Sequence, residues 1–173
     1  MNDIPAFPNN LRRYSYVANA FWNWPKLLDW SPVPLRLIVG YGFIAHGYAK
    51  LERGPDVFVG ILHAIGVPAP SVMAWLAILT ELLGGLAVLV GAFVPLAAMP
   101  MTAVLLVAMF TVHWPYGFTS IKLLNVRASG PVFGPPGYEC DLLYLACLAT
   151  LVLAGSGRYS VDGFFLKRWN RNL

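Results

Sequence analysis

Residues 71–94 read SVMAWLAILTELLGGLAVLVGAFV, an apolar run that carries a single charge, Glu81. A helix needs about 20 mostly apolar residues to cross a bilayer, and this run supplies them. Hydrocarbon offers no hydrogen bonds, so a segment of this kind must close its own backbone as a helix. A carboxylate in mid-span is costly there and needs a counter-ion, a proton or a water-filled cavity. The fold must therefore bring other helices to Glu81. Candidate partners are Arg36, His46 and Lys50 in one apolar segment, His113 in another, and Glu139 and Asp141 at the head of a fourth.

The remainder of the chain supports a membrane setting. Of 173 residues, 58% are hydrophobic and 12% charged, against about 25% charged in an ordinary soluble domain. That length allows one domain and leaves no separate soluble module. The net charge of +4 does not point to nucleic acid, because the basic residues sit where membrane anchors would. The first thirty residues lack the short apolar core and small-residue cleavage site of a signal peptide, so the first helix is expected to act as the insertion signal. Cys140 and Cys147 lie one heptad apart on one expected helix. That spacing suits neither a disulfide nor a metal knuckle, and both read as packing residues.

Along the chain, residues 1–33 mix Trp22, Trp24 and Trp30 with Arg12, Arg13 and Lys26, a composition suited to the headgroup level. The expected transmembrane domain covers residues 34–156, with helices at about 34–51, 71–94, 96–114 and 139–154. A short helix between the first two, with Asp56 as its N-cap, is too short to span and is expected to be interfacial or re-entrant. Residues 115–138 form a long Gly/Pro-rich connection, expected to act as a lid or binding segment. Residues 157–173 form a basic, aromatic tail. The fold class is all-α: a polytopic membrane four-helix bundle.

Counting Lys and Arg assigns the sides. One face carries Arg12, Arg13, Lys26, Arg36, Arg158, Lys167, Arg168 and Arg171; the other carries Lys50, Arg53, Lys122 and Arg127. The positive-inside rule then puts both termini in the cytoplasm and the long loops outside. Helix directions follow. His46 and Lys50, one turn apart, approach the outer end of the first helix. Glu81 lies about 15 Å down the second from outside. His113 closes the third, and Glu139 and Asp141 open the fourth. Arg36, about 21 Å from Lys50 along the helix, belongs to the cytoplasmic end. Gly40, Gly47, Gly84 and Gly85 accompany the cluster and permit close helix approach.

The bland readings are distinct for each residue. Arg53 suits a snorkelling role, His63 a surface position, and Asp141 and Glu139 can complement a helix N-terminus. His113 beside Trp114 fits an interfacial residue as well as a functional one. For Glu81 the bland reading is a structural salt bridge, for instance to Lys50.

The segments LRLIVGYGFIAHGYAKL, IGVPAP, TELLGGLAVLVG, YECDLL and GSGRYSVDGFF together resemble the DoxX/DoxD family of small membrane proteins, over residues 34–165. The resemblance implies a four-helix bundle and makes Arg36, His46, Gly47, Lys50, Glu81, Gly84, Gly85 and Glu139 family-like positions. It also implies a link to redox systems, either as the membrane subunit of a thiosulfate:quinone oxidoreductase or in oxidative-stress complexes.

Two functions compete. In the first, the chain is a membrane subunit of a redox system, acting with a protein partner on a quinone-type ligand. Glu81, His46 and Lys50 would exchange protons with the ligand's oxygens. His113, Glu139 and Arg36 would contribute further polar contacts, and Trp114 and Tyr116 would close over the ring. In the second, the chain is a scaffold or assembly partner whose buried charges fix helix register. A bis-histidine haem between His46 and His113 rests on two histidines alone and is not expected. A proton or solute pathway needs more room than four short helices leave. No metal-ligand set, nucleotide loop or nucleophile elbow is present, so catalysis by this chain alone is not expected. The expected partners are the lipid bilayer and either a second protein or further copies of the chain, in a bacterial inner membrane.

Overall fold

The protein is described by a computed structural model over residues 29–169. The aromatic and basic segment expected before residue 29, and Arg171 in the tail, lie outside the described residues. Helix α1 runs Pro32–Glu52 and begins on prolines, whose missing N–H is not needed in a first turn. Gly54, at φ +92, turns the chain into α2, Pro55–Ala64. Asp56, expected as the cap of α2, lies instead within its first turn, with Gly54 at the cap.

Helix α3 spans Pro70–Val90, and its middle turn, Thr80–Gly84, widens into a π-turn. It stops before the expected boundary at 94, because Gly91 takes a left-handed conformation with φ +70. Helix α4, Val94–Tyr116, starts within three residues of that turn. It contains a second π-turn at Met109–His113 and tightens into a 3₁₀ turn at Trp114–Tyr116.

The following connection is not the structureless loop expected. It holds an antiparallel hairpin of β1, Leu123–Arg127, and β2, Gly130–Phe133, with Leu123 opposite Phe133 and Arg127 opposite Gly130. Branched and aromatic residues flanking Ala128-Ser129-Gly130 provide strand propensity and a turn. Helix α5 covers Glu139–Ala154, as expected. The tail forms a further helix, α6, Val161–Trp169, capped by Ser160, whose Oγ accepts the Gly163 N–H at 2.9 Å.

Four helices share one core: Val39 and Phe43 of α1, Val88 of α3, Val94, Ala98 and Met101 of α4, and Leu148 and Leu151 of α5. The closest approach is between α1 and α3. A Cβ on Gly40 would lie 2.7 Å from the Gly85 carbonyl oxygen, and one on Gly85 would lie 2.8 Å from that of Gly40. Only glycine fits on both sides of such a contact.

Outside this core the surface is apolar. Leu37, Ile38, Leu83, Leu86, Met99 and Leu153 are each more than half exposed. Helices α3 and α4 are long and apolar enough to cross a membrane, yet only 33% and 22% of their most apolar stretches are buried in the protein. A soluble core helix would be covered by protein, whereas these two present their apolar sides outward, where lipid is the fitting solvent.

Candidate functional site

Lys50 and Glu81 meet across the α1–α3 contact. Lys50 Nζ donates to Glu81 Oε1 at 2.6 Å, and the Lys50 ammonium also lies 4.3 Å from the centre of the Phe58 ring of α2. Glu81 is only 5% exposed, so its carboxylate is removed from solvent. Its second oxygen, Oε2, is buried and has no hydrogen-bond partner among the described residues. A carboxylate normally accepts at both oxygens. Here one oxygen is bound to an ammonium and the other is left open.

Local structure creates this arrangement. Gly47 faces α3 so closely that a Cβ there would lie 2.9 Å from Leu82 Cγ and 3.0 Å from Glu81 Cβ. Lys50 is about 60° round the helix from Gly47 and has the reach to close the pair, while His46, on the same side, is turned about 40° further away from α3. His46 is exposed and takes part in no hydrogen bond or ion pair among the described residues. The structure does not bring it to Glu81. The π-turn at Thr80–Gly84 holds Glu81 itself, and such wide turns are frequent at functional sites.

A second pair joins α4 to α5. His113 Nδ1 lies 2.6 Å from Asp141 Oδ2, with the Asp141 side chain buried and that of His113 partly open. This pair also sits on a π-turn, Met109–His113. A carboxylate at Nδ1 orients the ring and leaves Nε2 available. Aromatic rings flank the pair: Trp114 stacks on Tyr138 at 5.0 Å, and Phe118 meets Tyr138 edge-on at 5.7 Å.

The other expected residues serve the connection or the opposite end. Glu139 Oε2 accepts the Ser120 N–H at 2.9 Å and so ties the loop to the start of α5. The Tyr116 carbonyl accepts from Lys122 Nζ. Arg36 is buried, and its guanidinium donates to the carbonyls of Ser156 and Tyr159 at 2.8 Å each and of Leu89 at 3.1 Å. Asp162 completes that end: its Oδ1 accepts the Phe93 N–H at 3.0 Å, its Oδ2 accepts from Ser156 Oγ at 3.2 Å, and its own N–H reaches the Gly91 carbonyl at 3.1 Å. This is a clasp that fastens the segment after α5 to the turn between α3 and α4.

Three features were not foreseen from the sequence. Asp141 is the partner of His113 and not only an N-terminal charge. Phe58 lies beneath Lys50. The two π-turns have no sequence signature beyond Gly84 and Gly85. Cys140 and Cys147 are free thiols, the first exposed and the second half-buried.

Residues 31–114 match the DoxX family model. This segment, just under half of the chain, is a DoxX domain. The matched part contains α1 to α4 and with them Lys50, Glu81 and His113, whereas Asp141 and the Asp162 clasp lie beyond it. Similarity to individual proteins extends further. An uncharacterised membrane protein of Mycobacterium tuberculosis is 29% identical over 163 residues, covering 88% of this chain and 94% of that protein. An uncharacterised protein of Haemophilus influenzae is 29% identical over 162 residues, covering 92% of this chain and 99% of its own length. No solved structure matches the chain. This DoxX-domain protein is therefore a membrane protein with bacterial relatives of nearly its own length.

Proposed function

We propose that this DoxX-domain protein crosses the membrane four times, through α1, α3, α4 and α5, with both termini in the cytoplasm of a bacterial inner membrane. We further propose that it binds a small lipid-soluble ligand of quinone type at Lys50 and Glu81, as the membrane subunit of a redox system. The observation that carries the ligand reading is the buried, unpartnered Oε2 of Glu81. Leaving such an atom without a partner costs about 1–3 kcal/mol, more when it is charged. A ligand hydroxyl donating to Oε2 would recover that cost, and the Lys50 ammonium would polarise a ligand carbonyl. A quinol offers the hydroxyl and a quinone the carbonyl. Interconversion also moves two electrons, which a protein partner would accept or supply, and two protons. One proton is exchanged between the ion pair and the near ligand oxygen, the other between the far oxygen and the aqueous phase.

The decisive experiment is titration of the purified protein with a quinone analogue, followed by thermal shift. Wild type should be stabilised in proportion to ligand, and Glu81→Gln should lose the shift while remaining folded. Absence of any shift in wild type would remove the reading.

A scaffold role has its own observation: the Lys50–Glu81 and His113–Asp141 pairs each join two different helices, α1 to α3 and α4 to α5. If register is the purpose of the pairs, Glu81→Gln should lower stability and partner recovery together, and no lipid-soluble ligand should co-purify.

A further inference from the structure

The end of the molecule that holds the Arg36 clasp carries an open groove of about 470 Å³, lined by Val90, Arg158, Tyr159, Ser160, Val161 and Phe164. That volume falls within the roughly 300–1,000 Å³ of small-ligand sites. Its walls are the last turn of α3, the segment after α5 and the first turns of α6. They are held rigidly. Asp162, beside Val161, is bound to Phe93, Gly91 and Ser156, and Ser160 Oγ caps α6. Binding there would not have to order the walls first.

The lining is apolar with a basic rim. Val90, Val161 and Phe164 are the groove's aliphatic and aromatic lining. Arg158 stands at the edge with its side chain 60% exposed, and its Nη1 donates to Asp29 Oδ2 at 3.3 Å. An arginine fork has five donors, so one bond to Asp29 leaves it the capacity to bind phosphate oxygens as well. Arg168 follows Phe164 by four residues and Val161 by seven, which places it on the groove side of α6, one to two turns further along. Phe165 and Leu166, both more than 60% exposed, give α6 the apolar surface of a helix that lies in the headgroup plane.

We propose that this groove is a binding site for an anionic phospholipid. An acyl chain lies along Val90, Val161 and Phe164, and the phosphate is held between Arg158 and Arg168. Charge complementarity selects the headgroup, since a guanidinium fork matches phosphate oxygens in pairs. The apolar lining selects a lipid over a free phosphate. Asp29 competes with the phosphate for Arg158. This site is separate from the ligand proposed at Glu81, which lies nine residues, about 14 Å of helix rise, along α3 from Val90.

The test is native mass spectrometry of the full chain, released from nanodiscs of equal phosphatidylglycerol and phosphatidylcholine. The expected result is retention of phosphatidylglycerol over phosphatidylcholine by tenfold or more. The double variant Arg158→Gln/Arg168→Gln should abolish that preference. Both side chains are exposed, so folding should be unaffected, and a circular dichroism spectrum checks this. Asp29→Asn should strengthen retention, and Phe164→Ala should weaken it without changing headgroup preference. Glycerol phosphate, which lacks acyl chains, should not compete at millimolar concentration. Equal retention of the two lipids by wild type, or an unchanged preference in the double variant, would overturn the proposal. Competition by glycerol phosphate would overturn the acyl-chain part and reduce the site to a phosphate site.

Discussion

Two levels of the bundle treat buried charge in opposite ways. At one end Arg36 is surrounded by backbone: three carbonyls accept from its two terminal nitrogens, and only Nε lacks a partner. In mid-span Glu81 has a single partner among the described residues, a lysine side chain that is itself partly exposed, and a whole oxygen is left open. Backbone carbonyls cannot move away, so the Arg36 end is a fixed clasp. A lysine on a flexible stem can share or release its bond. The lesson is that a buried charge is read from how it is satisfied: the clasp has the marks of structure, the open pair those of a ligand site.

This contrast predicts a graded series of effects. The largest should come from Arg36→Met, which leaves three buried carbonyls without a donor. A loss of about 3 kcal/mol is expected, measured as a fall in the unfolding midpoint in detergent, and quinone-analogue binding should be retained in whatever protein remains folded. Next is Gly91→Ala. A Cβ there would meet Ser160 Cβ at 2.5 Å and Arg36 Cζ at 3.0 Å, at a backbone angle that side chains rarely adopt. A cost of about 2 kcal/mol is expected, and denaturant titration checks it. At the open pair Lys50→Met should cost about 1–2 kcal/mol, because Glu81 is left buried and unpaired. Glu81→Gln should cost less, about 1 kcal/mol, since the uncompensated group would then be the better-solvated lysine. If the order of Lys50→Met and Glu81→Gln were reversed, the assignment of the buried member would be wrong. The smallest effect should be that of His46→Ala: within about 0.5 kcal/mol of wild type, with ligand binding unchanged. Loss of binding in that variant would mean that His46 reaches the ligand from its exposed position.

Much of this arrangement was legible in the chain. The lone charge at Glu81 in an apolar run required a partner, and the one-turn spacing of His46 and Lys50 offered two. Choosing between them needed the direction in which α1 faces α3. Gly47 sets that direction, and a glycine in a sequence does not say what it touches. The helix boundaries were readable where prolines and glycines punctuate the chain, with α3 shortened because Gly91 entered the left-handed region before the apolar run ended. The hairpin at 123–133 was hidden by its Gly/Pro-rich setting, which reads as loop. Arg36 was placeable at the end opposite Lys50 from helix rise alone. Its clasp depends on residues more than a hundred positions away, brought back by the turn after α5, and no local pattern announces that contact. The His113–Asp141 pair is long-range in the same sense.

The central claim is that the open oxygen of Glu81 is completed by a ligand. The most direct measurement is a quinone-analogue titration of wild type and Glu81→Gln, side by side, in the same detergent and read by thermal shift. The account predicts saturable stabilisation of wild type and none of Glu81→Gln, with the two unliganded proteins unfolding within a few degrees of each other. Equal stabilisation of both, or of neither, would contradict it.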